Sequence, residues 1–193
     1  MKQLFLLLTF TTALFGQEWR TEIKLLGGIT AADLDTDHLA TTERVIGGGY
    51  MAGVEGAVNL NSIFAVTGHY VYNDLGSGIR LFCDTPTCGR VTGTAGFQEY
   101  MGGIRLRGNA DGRVSPYIGI SVGGVRLATK AMVNIPGTTI QLQDSATKFA
   151  YAPGIGFDVK IVKHFAIGLD ARYVKATDLA WYVRTGLGLT FRF

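Results

Sequence analysis

The chain has 193 residues, which suits one domain, and its 47% hydrophobic and 17% charged residues exclude an intrinsically disordered protein. Its 27 glycines follow no three-residue repeat, which excludes collagen, and a net charge of +3 without a cluster of Lys and Arg argues against a nucleic-acid partner. High glycine and aromatic content with 4 prolines is typical of an all-β protein.

Residues 1–16 are predicted to form a cleaved secretory signal peptide, which leaves residues 17–193 as the mature domain. Lys2 supplies the positive charge of such a peptide, and Leu4 to Phe15 is an apolar run of the expected length. A buried N-terminal helix is the alternative interpretation. A membrane-spanning helix needs about 20 apolar residues, and no run in the chain is that long. A mature chain that spans a membrane must then be a closed β-barrel, because only helices and closed barrels pair all their backbone polar groups in lipid.

Eight segments alternate in side-chain character with the period of two that predicts β-strands. Together they predict an all-β fold, an eight-stranded antiparallel up-and-down transmembrane barrel. In the fifth segment Ile118, Ile120 and Val122 are predicted to face outward, opposite small residues that suit a crowded interior. In chain order the predicted strands are about Trp19–Ile29, Arg44–Val58, Ile63–Asn73, Thr94–Arg107, Val114–Leu127, Lys148–Lys160, Phe165–Val174 and Trp181–Phe193.

The connections between these strands differ in length. Three are long, Thr30–Glu43, Asp74–Gly93 and Ala128–Thr147, whereas the last hairpin connection around Lys175–Asp178 is short. Long loops at one end and tight turns at the other are typical of transmembrane barrels, whose long loops lie outside the cell. Both termini are then expected on the periplasmic side. The remaining tight turns are predicted at about 59–62, 108–112 and 161–164.

A soluble ligand-carrying barrel of the lipocalin type would show the same alternation, with the apolar face inside. Three features favour lipid outside. The strands reach the 9–11 residues that cross a membrane with tilt. Aromatic residues such as Trp19, Tyr72, Tyr173 and Trp181 lie near strand ends, as in interfacial girdles. The opposite face mixes glycine with acidic and basic residues, which suits a narrow polar lumen.

Charged residues fall on the face of the strands that is predicted to line this lumen. An unpaired charge is costly in a nearly dry interior, so these side chains are expected to form ion pairs. Two interpretations stay open. The pairs either close the lumen as a plug, which side chains can do in an eight-stranded barrel, or exchange partners and gate a narrow water path. The predicted network comprises Glu22, Lys24, Glu55, His69, Glu99, Arg105, Asp170, Arg172 and Arg184.

Cys83 and Cys88 lie in the second long connection, with Pro86 between them. An exported chain with two close cysteines in an exposed segment is expected to oxidise them to a disulfide, and Pro86 favours the required turn. A zinc site is the alternative, but such sites normally need four ligands and no His lies nearby in the sequence.

Asp33, Asp35 and Asp37 in the first long connection suggest calcium binding. An EF-hand-type loop would require Gly and Glu at the places that His38 and Arg44 occupy, so the pattern fails. A solvated acidic loop is the preferred interpretation, and no metal or cofactor is predicted.

The C-terminal strand ends in Thr190–Phe191–Arg192–Phe193, and a middle strand begins Ser115–Pro116–Tyr117–Ile118–Gly119. With these features the chain resembles the OmpA-like/opacity-type family of small outer-membrane barrels, over about Gln17 to Phe193. The resemblance implies that Phe191 and Phe193 belong to the signal that the barrel-assembly machinery reads. It also implies the outer membrane of a Gram-negative-type bacterium, with contact to lipid and lipopolysaccharide. The family's peptidoglycan-binding domain is not expected, since the sequence stops at the barrel.

The predicted function is that of a non-enzymatic, monomeric outer-membrane protein, structural or adhesive, whose extracellular loops are the candidate surface for an unknown ligand. A narrow or gated pore is the first alternative, and a lipid-modifying enzyme is the second. Enzymatic chemistry would need a nucleophile beside a base, and none of His38, His69 and His164 has a Ser two residues away.

Overall fold

The computed structural model describes residues 21–34, 45–84, 87–108, 112–135, 138–178 and 180–193. In these residues eight antiparallel strands follow one another around a closed barrel, which β8 completes by pairing with β1. The described residues contain no helix long and apolar enough to cross a membrane. The predicted signal peptide and the acidic residues Asp35 and Asp37 lie outside the described residues. The strands are β1 Thr21–Leu34, β2 Val45–Asn59, β3 Phe64–Asp84, β4 Thr87–Arg107, β5 Val114–Ile135, β6 Thr138–Val162, β7 Phe165–Ala176 and β8 Ala180–Arg192.

The alternation of the sequence becomes an alternation of exposure. Along β8 buried and exposed residues alternate over the whole strand up to Phe191, with Tyr182 and Arg184 inside and Leu187 outside. In β5 Ile118, Ile120 and Val122 are 48–57% exposed while Ser121 is buried, so the predicted facing of this strand is confirmed. Since successive side chains of a strand point to opposite faces, one apolar–polar pattern yields both a lipid-facing surface and a polar lumen.

Two belts of aromatic side chains mark the edges of the outer apolar surface. In the upper belt, at the end of the barrel away from the termini, the rings of Tyr70 and Tyr100 lie 5.2 Å apart and those of Tyr173 and Trp181 lie 6.1 Å apart. In the lower belt, near the termini, Phe165 contacts Phe191 with 5.5 Å between ring centroids. Such girdles are found at the two membrane interfaces of transmembrane barrels. Members of the upper belt further include Tyr50, Tyr72, Phe149 and Tyr151, and those of the lower belt Phe64 and Phe193.

The prediction of a long loop is wrong in two of three places, because the described residues there form strands. β3 and β4 pair from Ser77 with Thr94 up to Asp84 with Thr87, within the predicted loop Asp74–Gly93. β5 and β6 pair up to Ile135 with Thr138, within the predicted loop Ala128–Thr147. The prediction places these residues as connections between the alternating segments, but strands that rise into water need no apolar outer face, and cross-strand hydrogen bonds hold them. The first long connection is strand as far as Leu34, and residues 35–44 lie outside the described part.

The extended parts of β3, β4, β5 and β6, which we call arms, form one sheet beyond the upper belt. Pairing of β2 with β3 stops at Tyr50 with Asp74, and pairing of β6 with β7 begins at Ala150 with Ala176. Beyond both limits, β4 and β5 stay paired up to Arg90 with Asn134. Because the end of the barrel away from the termini is the one expected outside the cell, we call residues 77–84, 87–95, 128–135 and 138–147 the extracellular sheet. At about 3.3 Å per residue it rises on the order of 25 Å.

The β3 edge of this sheet begins at a bulge. The register of β3 against β4 shifts between Asp74 and Ser77, and Gly76 has a φ of 78°. The Gly76 N–H donates to the Asp74 carboxylate over 2.8 Å. A left-handed residue of this kind is nearly free of strain only for glycine, and a bulge bends and twists the strand that contains it.

Candidate functional site

The lumen holds as many buried carboxylates as buried Lys and Arg side chains among the described residues, five of each, together with His69. All nine residues of the predicted network lie there. Burial of so many charges is tolerable only if each is paired, because desolvation of an unpaired ion costs several kcal/mol. The carboxylates are Glu22, Glu55, Glu99, Asp158 and Asp170, and the cations are Lys24, Arg105, Arg107, Arg172 and Arg184.

Glu22 on β1 organises the end of the lumen nearest the termini. Arg107 on β4 donates two hydrogen bonds to its two carboxylate oxygens, over 2.9 and 2.6 Å. Arg192 on β8 and Arg105 on β4 lie 3.1 and 3.6 Å from the same carboxylate. A bidentate Arg–carboxylate pair of this kind is stronger and more directional than a single ionic contact. The end of the barrel nearest the termini therefore holds one acid among three guanidinium groups.

Glu55 on β2 joins two arginines at the middle of the lumen. It forms ion pairs with Arg105 from β4 and Arg172 from β7, and it is 1% exposed. Arg172 also donates to Asp170 over 3.1 Å and to the Ser121 hydroxyl over 3.1 Å. These contacts connect β2, β4, β5 and β7 across the interior. The network therefore stabilises the closed barrel between strands that are not neighbours in the sheet.

A second chain of contacts crosses the same level through Tyr117 on β5. Lys24 pairs with Asp158 over 2.7 Å and donates a hydrogen bond to the Tyr117 hydroxyl over 3.1 Å. That hydroxyl donates in turn to Asp170 over 2.9 Å. A β-carbon at Gly156 would clash with the Tyr117 ring, so this glycine is required by packing.

Glu99 on β4 is the acid of the upper level. Arg184 lies 3.2 Å from its carboxylate, and His69 lies 3.5 Å away. The Asn73 amide donates to the same carboxylate over 2.7 Å and accepts from Thr30 over 2.6 Å. His69 is buried and also accepts a hydrogen bond from Arg172, so it belongs to this network and not to the lipid-facing rim.

An apolar layer covers the charges on the side away from the termini. The rings of Phe97 and Tyr182 stack with centroids 4.9 Å apart and planes 7° apart. Small buried side chains surround the pair, including Ala32, Ala150 and Ala180. Within the network below, a cavity of about 10 Å³ lined in part by Arg105, Tyr117 and Arg172 has room for about one water molecule.

Sequence reasoning left several network members out of the predicted site. Asp158 and Arg107 lie on the inward phase of their strands and could have been included on that ground alone. Tyr117 gave a weaker signal, as a single aromatic residue on a face of Gly and Ser. The partners of Asn73 and Tyr182 come from other strands, so no pattern local to either residue identifies them.

The ladder of β3 and β4 pairs Cys83 directly with Cys88. Directly opposed residues of antiparallel strands have Cα atoms about 4.5–5.5 Å apart, within the range that a disulfide spans. The disulfide itself stays a prediction. At the C-terminus, Phe191 and Phe193 are 40% and 69% exposed, and the Phe193 N–H donates to the Thr21 carbonyl over 2.9 Å. Their role as an assembly signal also stays a prediction.

The extracellular sheet carries different residues on its two faces along β6. On the face that continues the lumen side, Ile140 and Leu142 are 44% and 57% exposed. On the other face lie the polar residues Gln141, Gln143 and Ser145. Arg126 and Lys130 on β5 are exposed on that polar face as well, with Arg126 donating to the Ser145 hydroxyl over 3.4 Å.

Comparisons with known proteins agree with this architecture. No curated protein matches the chain. Among solved structures, Ail, the attachment invasion locus protein of Yersinia pestis, in complex with the heparin analogue sucrose octasulfate, is similar at 18% identity over 92% of this chain and 100% of that chain, with a TM-score of 0.55. Neisserial surface protein A is similar at 11% identity over 89% and 97% of the two chains, with a TM-score of 0.50. A family model described as the outer membrane protein beta-barrel domain matches residues 4–193. The chain therefore belongs to this family of outer-membrane β-barrel proteins.

Proposed function

We propose that this protein is a non-enzymatic outer-membrane barrel that attaches to a ligand outside the cell through its extracellular sheet. The observation that carries the proposal is the sheet itself, in which β3 to β6 stay paired with one another well beyond the points where β3 leaves β2 and β6 leaves β7. A membrane anchor needs no such extension, because strands of about 9–11 residues already cross the bilayer. β6 is a strand of 25 residues, and its upper half exposes the apolar residues Ile140 and Leu142 to solvent.

The lumen supports an anchoring role for the barrel. Its buried charges are matched in number and connected to one another, and the stacked Phe97 and Tyr182 cover them. A conducting path would require several of these ion pairs to separate together. Each charge that is left buried without its partner costs several kcal/mol. Planar-bilayer recordings are expected to show no single-channel events for the wild type and for Glu99→Gln. Regular unitary currents would favour the pore instead.

The test of attachment removes the extracellular sheet and keeps the barrel. Since Ser77 pairs with Thr94 and Thr129 pairs with Asp144, residues 78–93 and 130–143 can each be replaced by an Asn-Gly turn. Cells that display the shortened barrel are expected to lose most of their binding to a cultured epithelial monolayer. Heat-modifiable migration in detergent gels, equal to that of the wild type, controls for folding. Undiminished binding by the shortened barrel would contradict the proposal.

A heparin-coated surface is a second probe for the same cells. Ail is described in complex with a heparin analogue, and β5 exposes Lys130 on the polar face of the extracellular sheet and Arg126 just below it on the same face. If the ligand is a sulfated polysaccharide, the double variant Arg126→Gln/Lys130→Gln lowers binding and added salt lowers it further, because exposed charges are screened. The lipid-modifying alternative is tested by mass spectrometry of lipid A with and without the protein, where an unchanged profile is expected.

A further inference from the structure

The two side edges of the extracellular sheet are not equivalent. The β3 edge begins at the bulge between Asp74 and Ser77, with Gly76 in the left-handed conformation. Bulges of this kind twist an edge away and are a common protection against unwanted strand pairing. The β6 edge keeps one register against β5 from Thr138 to Val159 without a bulge, and it contains no proline above Pro153. The β6 edge is therefore the one that is straight enough to accept another strand.

The backbone polar groups of alternate β6 residues point away from β5 along this edge. Lys160 donates its N–H toward the β5 side, to Arg113, whereas the Phe149 carbonyl accepts from Thr177 on the β7 side. Because hydrogen-bonding direction alternates along a strand, the odd-numbered residues present their N–H and C=O groups to the free edge. These include Gln141, Gln143 and Thr147. Among the described residues, no strand pairs with β6 on this side above Ala150.

One edge donor is satisfied within β6 itself. The Ser145 N–H donates to the Asp144 carboxylate over 2.7 Å. The sheet thus leaves a short stretch around Gln141 and Gln143, and a second one at Thr147, for pairing with another chain. An exposed row of unpaired ladder groups is a template for a further strand.

We propose that the β6 edge, residues 140–148, binds an extended segment of a partner protein by antiparallel strand addition. The inference rests on the proposed attachment function and names its partner class. The side chains on the lumen-side face of the edge set the specificity, since in such a pairing they would occupy the non-hydrogen-bonded positions, where opposed side chains are closest. They form one column of side chains along the edge, in the order Ile140, Leu142, Asp144, Ala146 and Lys148.

Charge and apolar character along this column define the complementary segment. A partner would place apolar side chains opposite Ile140 and Leu142, a cation opposite Asp144 and a carboxylate opposite Lys148. The carboxylate and the ammonium group are four residues apart and exposed, so a partner with the opposite order of charges would meet two like-charge contacts. The polar face of the edge, with Gln141 and Gln143, makes no comparable demand.

The experiment uses two labelled nine-residue peptides with the folded barrel in lipid nanodiscs. Peptide ETVTKTVTV matches the column, and peptide KTVTETVTV exchanges its two charges. Fluorescence anisotropy is expected to show at least about tenfold tighter binding of the first, which corresponds to about 1.4 kcal/mol. The variant Asp144→Lys/Lys148→Glu should reverse this preference. Equal affinities of the two peptides for the wild type, or no reversal in the variant, would overturn the proposal.

A backbone variant tests strand addition directly. Gln143→Pro removes an edge N–H without removing a hydrogen bond to β5, and Gln143→Thr keeps that N–H as the matched control. The proline variant should bind the matching peptide at least about tenfold more weakly, and the threonine variant should bind like the wild type. If the proline variant fails to show heat-modifiable migration, the charge-exchange variant decides alone.

The same variants separate this proposal from the attachment function. Cells with Gln143→Pro that still bind the epithelial monolayer, where the shortened barrel does not, would leave attachment intact and overturn strand addition. Binding to heparin that depends on Arg126 and Lys130 and not on Gln143 would likewise move the site to the polar face and overturn it. The expected result is that the proline variant loses monolayer binding, as the shortened barrel does, whereas the threonine variant keeps it.

Discussion

Arg184 on β8 lies 3.2 Å from the carboxylate of Glu99 on β4, and neither side chain has measurable exposure. The two strands are not neighbours in the barrel, so this ion pair spans the lumen. Arg184 also lies 3.4 Å from Asp170, which connects it to the middle level of the network. Such a contact stabilises the closed form and makes the loss of one partner costly.

Removing one partner of this pair should cost more than replacing both. Arg184→Leu is expected to lower the free energy of unfolding by about 3–5 kcal/mol, because it leaves Glu99 charged and buried. The double variant Arg184→Leu/Glu99→Leu should recover part of that loss, since both charges are then gone. Urea unfolding in lipid vesicles measures both values. A double variant that is as unstable as the sum of the two single variants would argue against a coupled pair.

The glycines that face the lumen should differ sharply from those that face lipid. Gly156→Val is expected to prevent the native fold, because its β-carbon would clash with the Leu169 carbonyl on the neighbouring strand and with the Tyr117 ring. Gly27 is exposed and has open space around the position of a β-carbon, so Gly27→Val is the matched control and should fold. Heat-modifiable migration reports the outcome. Equal folding of both variants would mean that the Tyr117 ring and the Leu169 backbone can both move at little cost, and would contradict the prediction.

Cys83 and Cys88 should be oxidised in the exported protein, since the ladder places them opposite one another in an oxidising compartment. Alkylation followed by mass spectrometry should label both residues after reduction and neither before it. Cys83→Ser/Cys88→Ser serves as the control for nonspecific labelling. Two reactive thiols in the native, unreduced protein would refute the disulfide.

The C-terminal Phe193 should matter for assembly in cells and little for stability in vitro. Its side chain is 69% exposed, so Phe193→Ser removes few contacts within the barrel. We expect a several-fold lower amount of folded protein in the outer membrane, with unchanged refolding from urea into vesicles. Phe64→Ser, in the same belt with 45% exposure, is the control. A similar loss in both variants would assign the effect to belt contacts and not to a recognition signal.

The strand count, the facing of each strand and the inward position of the charges follow from the sequence. β8 shows why: an alternation that continues from Trp181 to Phe191 has one consistent placement in a sheet, with Arg184 inside and Leu187 outside. A shift of one residue would expose every charge to lipid, so the pattern itself determines the register of the faces. This local rule needs no knowledge of the partners across the barrel.

The pairing of those charges and the extent of the strands were decided only by the tertiary structure. Glu55 and Arg172 are separated by 117 residues in sequence and meet across the lumen, where closure of the sheet brings them together. The residues between Asp74 and Gly93 and between Ala128 and Thr147 are predicted as connections between alternating segments, yet those that the structure describes form strands, because each arm pairs with the next. Hydrogen bonds between distant segments stabilise that sheet, and local side-chain character does not record which distant segment will be the partner.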